Sequence, residues 1–197
     1  MEINLIDAHG FEAAMMGMRL PMKSGSKSDG YWDFSADPEY IIGDNDYELS
    51  MKLIRAGTDH RKHIRLIDAW IEIDAPLYWW KEFDTYRFGV DKVSESTMHT
   101  LKKHEISEED FDLGEYKDNP VVQNFIDFLE RHRKADDIDD LSKILPQSYR
   151  QKRICKVSYE ALRNMYQARK NHKLPEWREF CDWIKYNLPY PNFITKE

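Results

Sequence analysis

Ile3 and Leu5 alternate with polar neighbours from Glu2 to Asp7, a period of two that predicts a short strand. Phe11–Met18 is rich in Met and Ala, and its apolar residues suit a core-facing helix. Tyr47–Ala56 places Leu49, Leu53 and Ile54 on one side of a helix, and Gly57 follows as its cap. Alternation returns across Leu66–Asp74, where Ile67, Ala69, Ile71 and Ile73 mark one face, interrupted at Trp70, and Pro76 follows. Leu77–Arg87 and Ser94–Lys103 read as helices, Ser107–Asp112 as a short acidic one and Pro120–Lys134 as a long one. The last ends in Arg131, His132, Arg133 and Lys134, cations suited to the negative end of the helix dipole. Arg153–Val157 predicts a strand, with Ile154 out of phase. Ser158 then caps a helix that carries Glu160 in its first turn and runs to about Asn171. Pro175–Tyr186 is the last helix expected, and the tail after it is irregular. Arg19–Asp46 holds Pro21, Gly25, Gly30 and three serines within 24–28, so it reads as a long irregular loop, a kind that is usually functional or mobile. Helix outweighs strand. The pattern predicts a helix-rich α+β fold with a small mixed or antiparallel sheet, residues 1–197 forming a single domain.

Composition narrows the function classes. At 197 residues, 41% hydrophobic and 13% aromatic, the chain can bury a real core and is not globally disordered. A net charge of -7 argues against a nucleic-acid polymer as partner, although a few local cations suffice for a small anion. Cys155 and Cys181 are too few for a disulfide framework, which points to the reducing cytoplasm. The N-terminal residues contain no apolar run of signal-peptide length, and no stretch approaches the roughly 18 apolar residues of a membrane span.

Several kinds of chemistry find no support. His60 and His63 stand three apart, but no third ligand lies at a recognisable spacing and Arg61 and Lys62 oppose a cation, so no metal site is expected. There is no Cys-x-x-Cys pair, no glycine-rich phosphate loop and no serine nucleophile elbow. The densest signal is Ala75–Arg87, where Tyr78, Trp79, Trp80, Phe83 and Tyr86 are interleaved with four charges. Such a run suits a wall on which bases or flavin rings stack while charged groups hold phosphate or carboxylate. It equally suits plain core packing, since 77, 80 and 83–84 fall at helical spacing after Pro76.

Three segments in register resemble the flavin-dependent thymidylate synthases. They are Leu53–Gly57 with His60–Ile64, the aromatic run continued through Ser94–His99, and Leu145-Pro146 followed by Val157–Arg169. The resemblance spans roughly residues 47–180. It implies an α+β fold and a cytoplasmic homotetramer with sites built across subunits. It further implies bound FAD, dUMP as acceptor, methylenetetrahydrofolate as one-carbon donor and NADPH as reductant. In that family a proline-led helix carries an Arg-His-Arg triplet; here Pro76 matches the proline and Thr85-Tyr86-Arg87 occupy the triplet. By the resemblance Arg169 grips the uracil ring and favours its ionised form, a task that suits a planar, permanently charged fork. Glu82, Thr85, Ser94 and Ser96 are the implied further substrate contacts, and His63, Tyr86, Arg87, Ser158 and Asn164 the implied cofactor contacts. Asn164 and Arg169 are five apart on one helix and face different sides, so serving two ligands requires a site that wraps the helix.

The chain departs from the family where phosphate charge is met. Thr85 and Tyr86 replace two triplet positions, Val93 and Ser94 replace an Asn-Glu pair, and Met98 and Ser142 stand where arginines are expected. Lys81, Lys92, Lys143 and Arg150 are the nearby cations that could substitute. Arg131-His132-Arg133 spells the triplet literally, but no proline-led aromatic run precedes it and a helix C-terminus explains it. These departures leave open a protein of the same fold that binds a nucleotide or flavin in a regulatory role without catalysing the reaction.

Overall fold

The opening alternation becomes β1 (Glu2–His9), after which Gly10, at φ +95°, turns the chain into α1 (Phe11–Arg19) with Phe11, Ala14, Met15 and Met18 buried. The computed structural model describes residues 1–196. Short 3-10 turns at Leu20–Met22 and Gly25–Lys27 lead to β2 (Tyr31–Asp33) and β3 (Glu39–Ile41), paired antiparallel with Tyr31 opposite Ile41. The segment read as one irregular loop is therefore folded. Its strands are three residues long, too short to register as alternation, and Trp32 packs edge-on against Tyr40 across them at 5.8 Å. α2 (Asp44–Arg55) starts before the position expected from sequence. The Asp29 carboxylate accepts from the amides of Asn45 and Asp46 at 2.9 and 3.1 Å, a cap supplied from distant sequence. Gly57, at φ +110°, follows the helix end as predicted.

A 3-10 turn at Lys62–Leu66 precedes β4 (Asp68–Pro76), and α3 (Leu77–Phe83) stops four residues short of Arg87. The chain there turns through Gly89 into β5 (Val90–Ser94), so the second expected helix begins only at α4 (Thr97–Lys103), with Ser96 as its N-cap. The acidic helix expected at 107–112 is a single 3-10 turn, Glu108–Asp110, braced by the Ser107 amide donating to Asp110 at 2.7 Å. Then come α5 (Pro120–Lys134), α6 (Ile138–Ile144), β6 (Arg150–Ser158), α7 (Tyr159–Arg169), α8 (Pro175–Asn187) and α9 (Asn192–Thr195). α6 and α9 are seven and four residues long, below the length at which periodicity is readable. Strand order in the main sheet is β1-β4-β6-β5. The result is the helix-rich α+β fold with a small antiparallel sheet that the sequence predicted.

Contacts divide the chain into two compact units. The first comprises Met1–Glu2, Ile73–Thr85 and Lys92–Ile154. Its core gathers Leu101, Ile106, Ile126, Leu129, Leu141 and Tyr149 from α4, α5, α6 and the start of β6. Trp79, Trp80 and Phe83 are fully buried in the same unit, and Trp80 Nε1 donates to the carbonyl of Gln151 at 2.9 Å. For these three rings the packing reading of the aromatic run holds. Each such burial contributes about 1.5–3 kcal/mol, which explains why tryptophan is retained at positions that three- and four-residue spacing aims inward.

The second unit comprises Ile3–Glu72, Tyr86–Asp91 and the residues from Cys155 on. α7 is its centre and packs against α8, α9 and the turn at Lys62–Leu66. Tyr159, Leu162 and Met165 fill the helix's inner face, meeting a core that includes Ile64, Trp177, Phe180 and Phe193.

Candidate functional site

In the second unit the segment Tyr86–Asp91 is fastened to both ends of α7. At the N-terminal end the Ser158 amide donates to the Gly89 carbonyl at 2.8 Å. Gly89 has φ +69°, and a Cβ there would lie 2.3 Å from Ser158 Oγ, so neither the turn nor the close approach admits a side chain. At the C-terminal end Arg169 Nε donates to the Tyr86 hydroxyl at 2.9 Å. The guanidinium lies 4.8 Å from the centre of the Trp177 ring and 5.7 Å from that of Tyr86, and Nη1 is 2.9 Å from His172 Nε2. An arginine only donates, so His172 must present the lone pair of Nε2 here. Half-buried and flanked by π faces, Arg169 is a charge held in a fixed plane.

The other residues expected at a cofactor occupy contrasting settings in this unit. Arg87 is exposed, and among the described residues it has no ion pair; Phe88 beside it is 95% exposed. Asn164 is exposed on α7. His63 is buried with Nε2 2.7 Å from Ser50 Oγ, and burial pulls its pKa down to about 4. Ser158 is buried too, its hydroxyl accepting from the Ala161 amide at 3.2 Å as the N-cap of α7. Burial pushes the Cys181 thiol up to about 12, which leaves no thiolate for nucleophilic work.

In the first unit, Thr85 is exposed with its hydroxyl donating to the Glu82 carbonyl at 2.7 Å, and Glu82 itself is half-buried. Ser94 and Ser96 are exposed. Ser96 Oγ is 2.7 Å from His99 Nδ1, and the two border a cavity of about 440 Å³ lined also by Met98, Lys102 and Asp136–Asp139.

Three of the four cations that could substitute for missing arginines are already engaged. Lys92 contacts Asp84 at 2.5 Å, Lys143 pairs with Asp140, and Arg150 binds Asp74 and Glu2 at 3.2 and 3.0 Å. Lys81 remains exposed. The literal triplet at 131–133 sits at the end of α5, where Arg133 makes two 2.6 Å bonds to Glu130 and, with the Ile106 amide, holds that carboxyl near 2.

Arg163 and Arg153 are among the buried or half-buried arginines that sequence reasoning missed. Arg163 Nη1 donates to the carbonyls of Phe193, Ile194 and Lys196 at 3.4, 3.1 and 2.5 Å, tying α7 to the chain after α8. Arg153 Nη1 donates to both carboxylate oxygens of Asp84, at 2.9 and 3.2 Å, while the guanidinium stacks 4.2 Å from the centre of the Trp80 ring. A cation at an inward position of an otherwise apolar helix face was the available signal for Arg163. Among the described residues no cluster of three or more His, Cys, Asp or Glu could hold a metal ion, and no helix is long and apolar enough to cross a membrane.

No family model and no curated protein sequence matches this chain. Solved structures do. The flavin-dependent thymidylate synthase of Helicobacter pylori, complexed with FAD and dUMP, superposes with a TM-score of 0.73 at 20% identity, covering 98% of this chain and 96% of that one. A second structure of that enzyme with FAD and dUMP gives 0.72 at the same identity and coverage. A UMP/dUMP methylase from Streptomyces cacaoi, bound with 5-Br dUMP, gives 0.63 at 14% identity, covering 93% and 88%. At these identities the likeness is one of fold.

Proposed function

We propose that this chain methylates dUMP to dTMP, using methylenetetrahydrofolate and reduced FAD, as a cytoplasmic homotetramer. The observation that carries the reading is the setting of Arg169: bonded to Tyr86, in contact with His172 and laid against Trp177. A guanidinium fixed in this way is pre-organised to meet a planar acceptor edge, because the entropy of ordering its long side chain is already lost in the fold. Next to a uracil ring its charge favours the ionised base, the form more reactive at carbon.

The cofactor roles divide by exposure. Arg87 and Asn164 present an uncommitted cation and an amide to solvent, the groups that would hold flavin phosphate and a flavin edge. Tyr86 carries Arg169 on its hydroxyl and Arg87 as its chain neighbour. Ser158 and His63 act at one remove: Ser158 fixes Gly89 and thereby the Arg87–Phe88 turn, and His63 holds α2 through Ser50. What a bound FAD supplies is hydride transfer, with NADPH as the source of electrons. Glu82, Thr85, Ser94 and Ser96 are the further substrate contacts in this reading, Ser96 through a hydroxyl already polarised by His99.

The test is reconstitution of purified protein with FAD, followed by calorimetric titration of dUMP into wild type and Arg169→Ala. A flavin absorption band that survives gel filtration, together with dUMP binding that the substitution abolishes, supports the proposal. A colourless protein that takes up no FAD, or dUMP affinity unchanged by the substitution, overturns it.

A further inference from the structure

Arg19 closes α1 with its side chain only 5% exposed, and its Nε donates to Asp46 Oδ1 at 2.5 Å. Asp46 is fully buried, and its second oxygen accepts from Ser28 Oγ at 2.6 Å. Both carboxylate oxygens are therefore committed. Among the described residues neither Nη group of Arg19 has a protein acceptor, and neither is a fully buried unsatisfied atom, so these four N–H donors face solvent in the cavity.

Arg19 lines a cavity of about 570 Å³ together with Met22, Ser24, Lys27, Asn45 and Leu49. No carboxylate is in this lining, whereas the groove beside β1 and the β2–β3 hairpin carries Asp7, Glu12, Asp37 and Glu39. Arg19 is balanced by Asp46 behind it and lies within reach of the Asp29 charge, so Lys27 is the uncompensated cation at this cavity in a chain of net charge -7. Lys27 and Asn45 are exposed at the rim of the cavity. The lining is rigidly presented: the 3-10 turn Gly25–Lys27 sets Lys27, and Asp29 fastens the first turn of α2 through the Asn45 and Asp46 amides. A Cβ at Gly43 would lie 2.3 Å from the Asp29 carboxyl carbon, so this junction also requires glycine.

We propose that this cavity binds the phosphate group of a small phosphorylated molecule, with Arg19, Lys27 and Asn45 as donors and Met22 and Leu49 bordering the remainder of the ligand. Asp46 keeps the guanidinium oriented without consuming its outer donors, which suits repeated binding and release of an oxyanion. The inference is independent of the flavin and dUMP reading and uses none of its residues.

Calorimetric titration of the full chain at low ionic strength, with inorganic phosphate and ribose 5-phosphate as probes, tests it. One site that responds to Lys27→Ala or Asn45→Ala is expected, weakened roughly tenfold or more by either substitution and untouched by Lys103→Ala, an exposed cation on α4. Arg19→Lys keeps a charge for Asp46 but removes the fork, and it should weaken binding while circular dichroism stays native. Tighter binding of ribose 5-phosphate identifies a phosphoester as the ligand, and equal binding identifies free phosphate. Absence of binding by both probes, or binding that Lys27→Ala and Asn45→Ala leave unchanged, overturns the proposal.

Discussion

Arg169 and Tyr86, 83 positions apart, share a 2.9 Å hydrogen bond from Nε to the phenolic oxygen. The bond makes the C-terminal end of α7 and the Tyr86–Asp91 segment one mechanical unit, since Ser158 holds Gly89 at the other end. Tyr86→Phe should leave the fold intact, cost about 1 kcal/mol of stability and weaken dUMP binding several-fold by freeing the guanidinium plane. Arg169→Ala should abolish dUMP binding and, because it removes the same bond and the contacts with His172 and Trp177, lower the melting temperature by at least about 2–4 °C while the protein still folds. Calorimetry with dUMP and thermal melts of both variants check this.

Gly89→Ala should destabilise by about 1–3 kcal/mol, because it combines a φ of +69° with a Cβ 2.3 Å from Ser158 Oγ. Gly114, at φ +51° with nothing within 4 Å, is the control. Gly114→Ala carries the backbone penalty alone, about 1 kcal/mol. Chemical denaturation of the two variants separates strain from collision, and equal losses would mean the contact with Ser158 is unimportant.

Acid should destabilise the protein in two stages. The His63 pKa falls from 6.5 to about 4 on folding because burial disfavours the imidazolium. The unfolded chain then binds the extra proton between those values, so stability is full above 6.5 and is lost as pH falls toward 4, by up to about 3 kcal/mol. Glu130, lowered from 4.5 to about 2 chiefly by Arg133, adds stability that disappears as pH falls from 4.5 toward 2. His63→Gln should flatten the stability profile between pH 6.5 and 4 and leave the lower stage in place, as urea denaturation across that range would reveal.

The aromatic run tests packing against display. Trp80, 1% exposed and bonded to Gln151, should cost about 3–5 kcal/mol when replaced by alanine. Phe88, 95% exposed, should cost less than about 0.5 kcal/mol. Paired denaturation curves decide the point; a large loss at Phe88 would contradict the description of its turn as solvent-facing.

What the sequence made legible follows from where burial imposes a period. β4 buries Ala69, Ile71, Ile73 and Ala75 in strict alternation and was readable; β5 exposes Asp91, Lys92, Val93 and Ser94 in succession and has no such pattern, so only Ser94 fell within an expected element, the helix from Ser94 to Lys103. The N-cap role of Ser158 was legible because capping is local, whereas the Asp29 cap on α2 joins residues 16 and 17 apart and was not. Of the candidate site, the residue types could be carried over by resemblance. Of the partners that position Arg169, Tyr86 comes from 83 positions away and Trp177 from the next helix, and their meeting at the guanidinium emerges only in three dimensions.

The most direct test of the account is dTMP formation. Purified protein is incubated with FAD, NADPH, dUMP and methylenetetrahydrofolate labelled in the transferred carbon, and the nucleotides are resolved by chromatography. Label appearing in dTMP, dependent on FAD and lost in Arg169→Ala, is the predicted result. A flavin-loaded protein that binds dUMP yet leaves every label in the folate would contradict it.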